Sequence, residues 1–208
     1  MAVSKTISAE SIREAYEAGI RLFGENRVQE FTGKAAALRE LTRARWHMIG
    51  HLQTNKVGSA IGLFDAIDSV DSLRLARKLN AAAAQAAKTL PVLIEINIGG
   101  EQAKSGVTLD SEEWKQLLSI GPELTNLEIR GLMALPPYSD DPEQSRPYFR
   151  RMREKFDEIS NQRLPAVRME VLSIGMSHDF EIAIEEGATR IRVGTAIFGE
   201  RKSVRSQA

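Results

Sequence analysis

Short apolar stretches that end in glycine or a small polar residue alternate with helical patterns along the whole of this 208-residue chain. That alternation is the strongest constraint on its fold. The predicted strands are Met1–Lys5, Arg21–Gly24, Arg45–Ile49, Phe64–Ile67, Pro91–Ile98, Leu127–Leu135, Met169–Ile174 and Arg190–Val193. Between them lie a helix capped by Ser8 and stopped at Gly19, then helical patterns over Val28–Leu41, Leu52–Ile61, Ser72–Lys88 with Asp71 as cap, Ser111–Ile120, Glu143–Ser160 and Phe180–Glu186. The run Pro91-Val92-Leu93-Ile94-Glu95-Ile96-Asn97-Ile98 is β-branched and nearly all apolar, as a strand buried on both faces must be. Strands separated by helices are parallel βα units, and eight of them predict a closed (β/α)8 TIM barrel. An open doubly wound sheet is the alternative, but no Gly-x-Gly-x-x-Gly follows any strand.

Composition removes several classes of function. The 28 basic and 28 acidic residues cancel, so no overall field recruits nucleic acid or a membrane surface. There is no cysteine, which excludes disulfides and thiolate metal sites and is compatible with a cytoplasmic location. No apolar run reaches the ~20 residues of a membrane span, and the first residues lack a signal-peptide layout. His47 and His51 are four apart, but Trp46-His47-Met48-Ile49-Gly50 reads as a strand, so this is not a zinc pair on a helix face. Residues 1–201 are expected to form one domain, and 202–208 a polar, disordered tail.

In a barrel of this kind chemistry sits at the C-terminal ends of the strands. Lys5, Asn26, His47, Asn97, Ser173, Gly175, Ser177, Gly194 and Thr195 fall there. Strand ends carry turn residues in any protein, but Lys5 and His47 are not turn formers. After the seventh and eighth strands, Ser173-Ile174-Gly175-Met176-Ser177-His178-Asp179 and Arg192-Val193-Gly194-Thr195-Ala196-Ile197-Phe198-Gly199 combine small residues, hydroxyls and helix starts. Such loops bring backbone N–H groups close to an anion, and barrels often hold phosphate there; ordinary tight turns are the alternative. The first and eighth strands are neighbours once the barrel closes. A phosphorylated aldehyde anchored by the last two units can then condense with Lys5 as a Schiff base. This needs the lysine, of pKa ~10 in water, to lose its proton in a partly buried mouth. Pyridoxal 5'-phosphate (PLP) fits both ends.

The segments Ala2-Val3-Ser4-Lys5-Thr6, Phe23-Gly24-Glu25-Asn26-Arg27-Val28-Gln29-Glu30, Trp46-His47-Met48-Ile49-Gly50-His51-Leu52-Gln53-Thr54-Asn55-Lys56, Lys104-Ser105-Gly106, Arg130-Gly131-Leu132-Met133-Ala134-Leu135-Pro136, Gly175-Met176-Ser177-His178-Asp179 and Arg192 to Gly199 resemble the pyridoxal phosphate homeostasis protein family. These are small relatives of the alanine racemase N-terminal barrel. The resemblance implies that Lys5 carries PLP as a Schiff base, that Ser177, Gly194 and Thr195 hold the phosphate with Arg192 beside them, and that Asn26, His47 and Met176 line the pocket. It also implies a cytoplasmic monomer that holds PLP and delivers it to PLP-dependent apo-enzymes, without established turnover. A PLP-dependent amino-acid racemase is the alternative. It would need a second base on the far face of the substrate, for which His47 and Tyr138 are the barrel's own candidates. Family chains carry a further helix and the start of the first strand before the lysine. Here Met1 stands almost directly before it, so the first strand is expected to be weakly anchored.

Overall fold

The structure, a computed structural model, describes residues 1–101 and 104–200; the expected disordered tail at 202–208 lies outside them. Eight strands form one parallel sheet in sequence order: β1 (Ala2–Val3), β2 (Leu22–Glu25), β3 (Arg45–Met48), β4 (Ala66–Val70), β5 (Leu90–Ile96), β6 (Leu127–Ala134), β7 (Val167–Met176) and β8 (Arg190–Arg192). The helices are α1 (Ala9–Glu17), α2 (Val28–Ala35), α3 (Val57–Leu63), α4 (Leu73–Gln85), α5 (Glu112–Ser119), α6 (Arg146–Gln162), α7 (Phe180–Glu185) and α8 (Thr195–Phe198). A parallel bridge between Ala2 and Val193 joins the last strand to the first, so the sheet curls into the (β/α)8 barrel.

The closure is made of backbone bonds. Val3 N donates to Val193 O at 2.8 Å, Val193 N to Met1 O at 3.0 Å, and Ser4 N to Gly24 O at 2.9 Å. The expected weak anchoring of the first strand is therefore corrected: β1 is short, yet it is bonded on both sides. In a parallel sheet that closes on itself, no strand is an edge.

Period-2 alternation sorts the side chains into two layers. Phe23 and Trp46 face outward, with ring centroids 4.9 Å apart, and Phe31 of α2 packs on Trp46 at 4.7 Å and on Phe64 at 5.1 Å. Inside, Ile49, Leu93 and Met133 form a small apolar plug with Val3, Leu135 and Val171 against it. α1 starts at Ser8, whose hydroxyl accepts from Ser11 N.

Most boundaries shift by a residue or two, and the helix expected over Leu52–Ile61 runs instead as a 3-10 turn at Thr54–Lys56 followed by α3; three other differences have a clear local cause. Ser72, rather than Asp71, caps α4 by accepting from Leu75 N; Asp71 accepts from Ser72 Oγ and pairs with His51. The helix predicted to Leu41 stops at Ala35 and tightens into a 3-10 turn over Ala36–Leu38, which carries buried Leu38 and Leu41 down onto the core. β4 begins and ends later than predicted, because Phe64 belongs to the aromatic stack and Asp65 accepts from Trp46 N at 2.8 Å. The strand then runs on through Asp68 and Ser69, both buried and satisfied inside the protein.

Candidate functional site

Two cavities occupy opposite ends of the barrel. The one at the C-terminal mouth has a volume of about 370 Å³, and Val3, Lys5, Asn26, Ile49, Leu135, Tyr138, Met176, Ser177, His178, Arg192, Gly194 and Thr195 line it. That size lies within the ~300–1,000 Å³ typical of small-molecule sites. Seven of the eight residues singled out from sequence meet there.

Local structure explains each placement. Lys5 follows β1 by two residues, half-buried, on the inward parity of Val3. Asn26 sits just past β2, where its backbone runs hard against β3: a Cβ on Gly50 would stand 2.4 Å from Asn26 O. Met176 and Ser177 leave β7 through Gly175, which holds φ +88°, and a Cβ there would stand 2.5 Å from that of Ala183. Only glycine takes that turn without strain. Buried Asp179 secures the same turn, accepting from Met176 N at 2.6 Å and Ser145 Oγ at 3.0 Å. The β7 and β8 loops are tied together by Gly194 N, which donates to Ser177 Oγ at 3.2 Å.

Arg192 forms the floor. It is 4% exposed, and its guanidinium donates to Ser173 O (2.7 Å), Ser173 Oγ (2.8 Å) and Ala134 O (2.9 Å). All three acceptors are neutral, so its charge is directed by hydrogen bonds without being cancelled at contact. Burial lowers its pKa to about 10, and it stays cationic at neutral pH. Tyr138 stands on the rim, 74% exposed. Its hydroxyl donates to Asp140 at 3.2 Å, which raises the phenol's pKa, and its ring lies 5.2 Å from that of His178.

His47 is not part of this pocket. It lines the second cavity, at the N-terminal end, with Arg45, Asp68, Arg130 and Arg190. There its Nδ1 lies 2.9 Å from Asp68 Oδ1, and Arg190 donates to Asp68 Oδ2 at 2.9 Å. The expectation that His47 lines the lysine pocket is thus corrected. Alternate residues of a strand share a face about 7 Å apart, and the residue of this face that reaches the mouth is Ile49. Sequence reasoning passed over Ile49, Val3 and Leu135 because they look like core; parity with Lys5 and His47 was the available signal.

A half-buried primary amine, hydroxyls and amides joined across two loops, and a buried guanidinium in one barrel mouth define a class: a barrel that holds an anionic carbonyl compound. The family model described as "Alanine racemase, N-terminal domain" matches residues 1–202. The pyridoxal phosphate homeostasis protein of Aquifex aeolicus is 49% identical over 202 residues, covering 97% of this chain and 86% of that protein. The one from Escherichia coli K12 is 42% identical over 203 residues, with 97% and 85% covered. Among solved structures, PipY of Synechococcus elongatus with PLP bound superposes with a TM-score of 0.84 at 39% identity, covering 96% of this chain and 91% of that one. The chain belongs to the pyridoxal phosphate homeostasis protein family, within the alanine racemase N-terminal class. Alanine racemase of Streptomyces coelicolor shares the fold at a TM-score of 0.72 and 19% identity, and this chain spans 52% of it.

Proposed function

We propose that this protein binds pyridoxal 5'-phosphate at the C-terminal mouth, carries it as a Schiff base on Lys5 and delivers it to PLP-dependent enzymes, serving vitamin B6 homeostasis. The observation that carries the reading is the convergence of Lys5, from the loop after β1, with Ser177, Gly194 and Thr195, from the loops after β7 and β8, in one cavity. The PLP-bound structure of PipY, a relative at 39% identity, supports it.

The residues fit such a ligand. Ser177 Oγ, Thr195 Oγ1 and the loop amides supply neutral donors for a phosphate, and Arg192 adds a fixed positive charge at the floor. Lys5 would supply the amine that condenses with the aldehyde of such a ligand, the C–N double bond replacing the C–O double bond with loss of one water. PLP when bound supplies that aldehyde and an electron-withdrawing ring. Of the two candidates for a racemase's second base, His47 faces the opposite cavity, whereas Tyr138 stands on the rim of the Lys5 pocket.

Purified protein incubated with PLP should develop an imine absorbance band, and Lys5→Ala should lose it. A wild-type chain with no band after saturation with PLP overturns the reading. Rapid, saturable α-deuterium exchange on an amino acid would favour the racemase instead.

A further inference from the structure

Lys5 is flanked by a partly buried charged cluster that the cofactor pocket does not include. Glu25, at the end of β2, is fully buried, and its Oε1 accepts from Ser4 Oγ at 2.7 Å. Lys34 of α2 donates to that same Oε1 at 2.9 Å, to Glu30 Oε1 at 3.0 Å and to Ser4 O at 3.0 Å. Glu30 Oε1 in turn accepts from Thr6 N at 2.5 Å. Thr6 stands at φ 63°, a left-handed conformation that a threonine adopts only when its surroundings impose it.

The residues immediately before and after Lys5 are therefore gripped by one cluster. The side chain and carbonyl of Ser4 are held by Glu25 and Lys34, and the amide of Thr6 by Glu30. An ammonium has three donors, and Lys34 spends all three here, so it has none left for a ligand. Docking α2 on the barrel does not require charge: Val28 and Phe31 of the same helix are buried against the core and do that. Burying ions is costly unless their geometry is used. What this cluster adds to apolar packing is direction, applied to backbone atoms on either side of one lysine.

We propose that Lys34, oriented by Glu25 and Glu30, is a positioning residue that aims Lys5 at the cofactor aldehyde. This rests on the proposed role of Lys5 and extends it to three residues on the outer side of β1 and β2. Holding a nucleophile in register is worth large factors in rate, and a shift near 1 Å costs roughly a hundredfold.

Stopped-flow absorbance follows the link to PLP, and pyridoxine 5'-phosphate, which has the phosphate and ring but no aldehyde, reports pocket integrity by calorimetry. Lys34→Met should slow the link by roughly ten- to a hundredfold and leave the analogue's affinity unchanged; Lys34→Arg should restore much of the rate. Glu30→Ala frees Thr6 from a half-buried position without unpairing Glu25, and should give a smaller loss of the same kind in a fully folded chain. Wild-type linking rates in both Lys34→Met and Glu30→Ala overturn the proposal, as does an equal loss of PLP linkage and analogue affinity. Absence of the band in wild type overturns the cofactor reading itself, and this proposal with it.

Discussion

At the scale of single residues, the barrel interior is notable for the charges it encloses. Glu95 on β5 is 8% exposed, and its Oε2 has no hydrogen-bond partner. Burial, reinforced by Asp71, raises its pKa to about 7. The folded state thus binds this proton more tightly than the unfolded chain, whose carboxyl titrates near ~4.3. The contribution of Glu95 is neutral below the unfolded pKa and becomes unfavourable as pH rises to about 7. Glu95→Gln should therefore gain about 3 kcal/mol over wild type between pH ~4 and ~8, read from urea unfolding at each pH. A flat difference across that range would show that the carboxyl is satisfied. Glu95 looked from sequence like one polar letter in an apolar strand; its effect on stability comes from neighbours on other strands.

At the scale of elements, strand parity decides which residue of a motif does what. His47 on β3 and Ile49 just past it share a face but serve opposite ends of the barrel. His47→Ala should leave PLP affinity unchanged by fluorescence titration and lower stability by about 1 kcal/mol, since Asp68 keeps its bond from Arg190. A large loss of affinity would place His47 back at the cofactor. β4 shows why its bounds were hard to read. Asp68 and Ser69 look like turn residues, yet the barrel buries both and supplies partners from β3, its loop and β8. β5 was legible because its apolar run needs no partner to explain it. Gly50 after β3 and Gly175 near the end of β7 were legible as turns, whereas the contacts that require glycine belong to the packed structure.

At the scale of the whole molecule, closure is what turns separate units into a site. Lys5 and Thr195 are 190 residues apart in the numbering, and they share a cavity because β1 bonds to β8. Hydrogen exchange should find the amides of Val3 and Val193 protected like those of β5 and β6, since both are bonded across the seam. Exchange at the rate of a frayed terminus would show the seam to be open. Among the described residues no helix is long and apolar enough to cross a membrane, in keeping with the hydropathy of the chain. The alternation of strands and helices and the approximate place of each element were determined by the sequence alone, because periodicity, caps and glycine act over a few neighbouring residues. The tertiary structure alone decided that His47 faces away from Lys5, that polar Asp68 and Ser69 continue a strand, and that the outer cluster of Glu25, Glu30 and Lys34 grips the residues around Lys5. Those outcomes depend on contacts between segments distant in the chain, whose energies exist only once the barrel has closed.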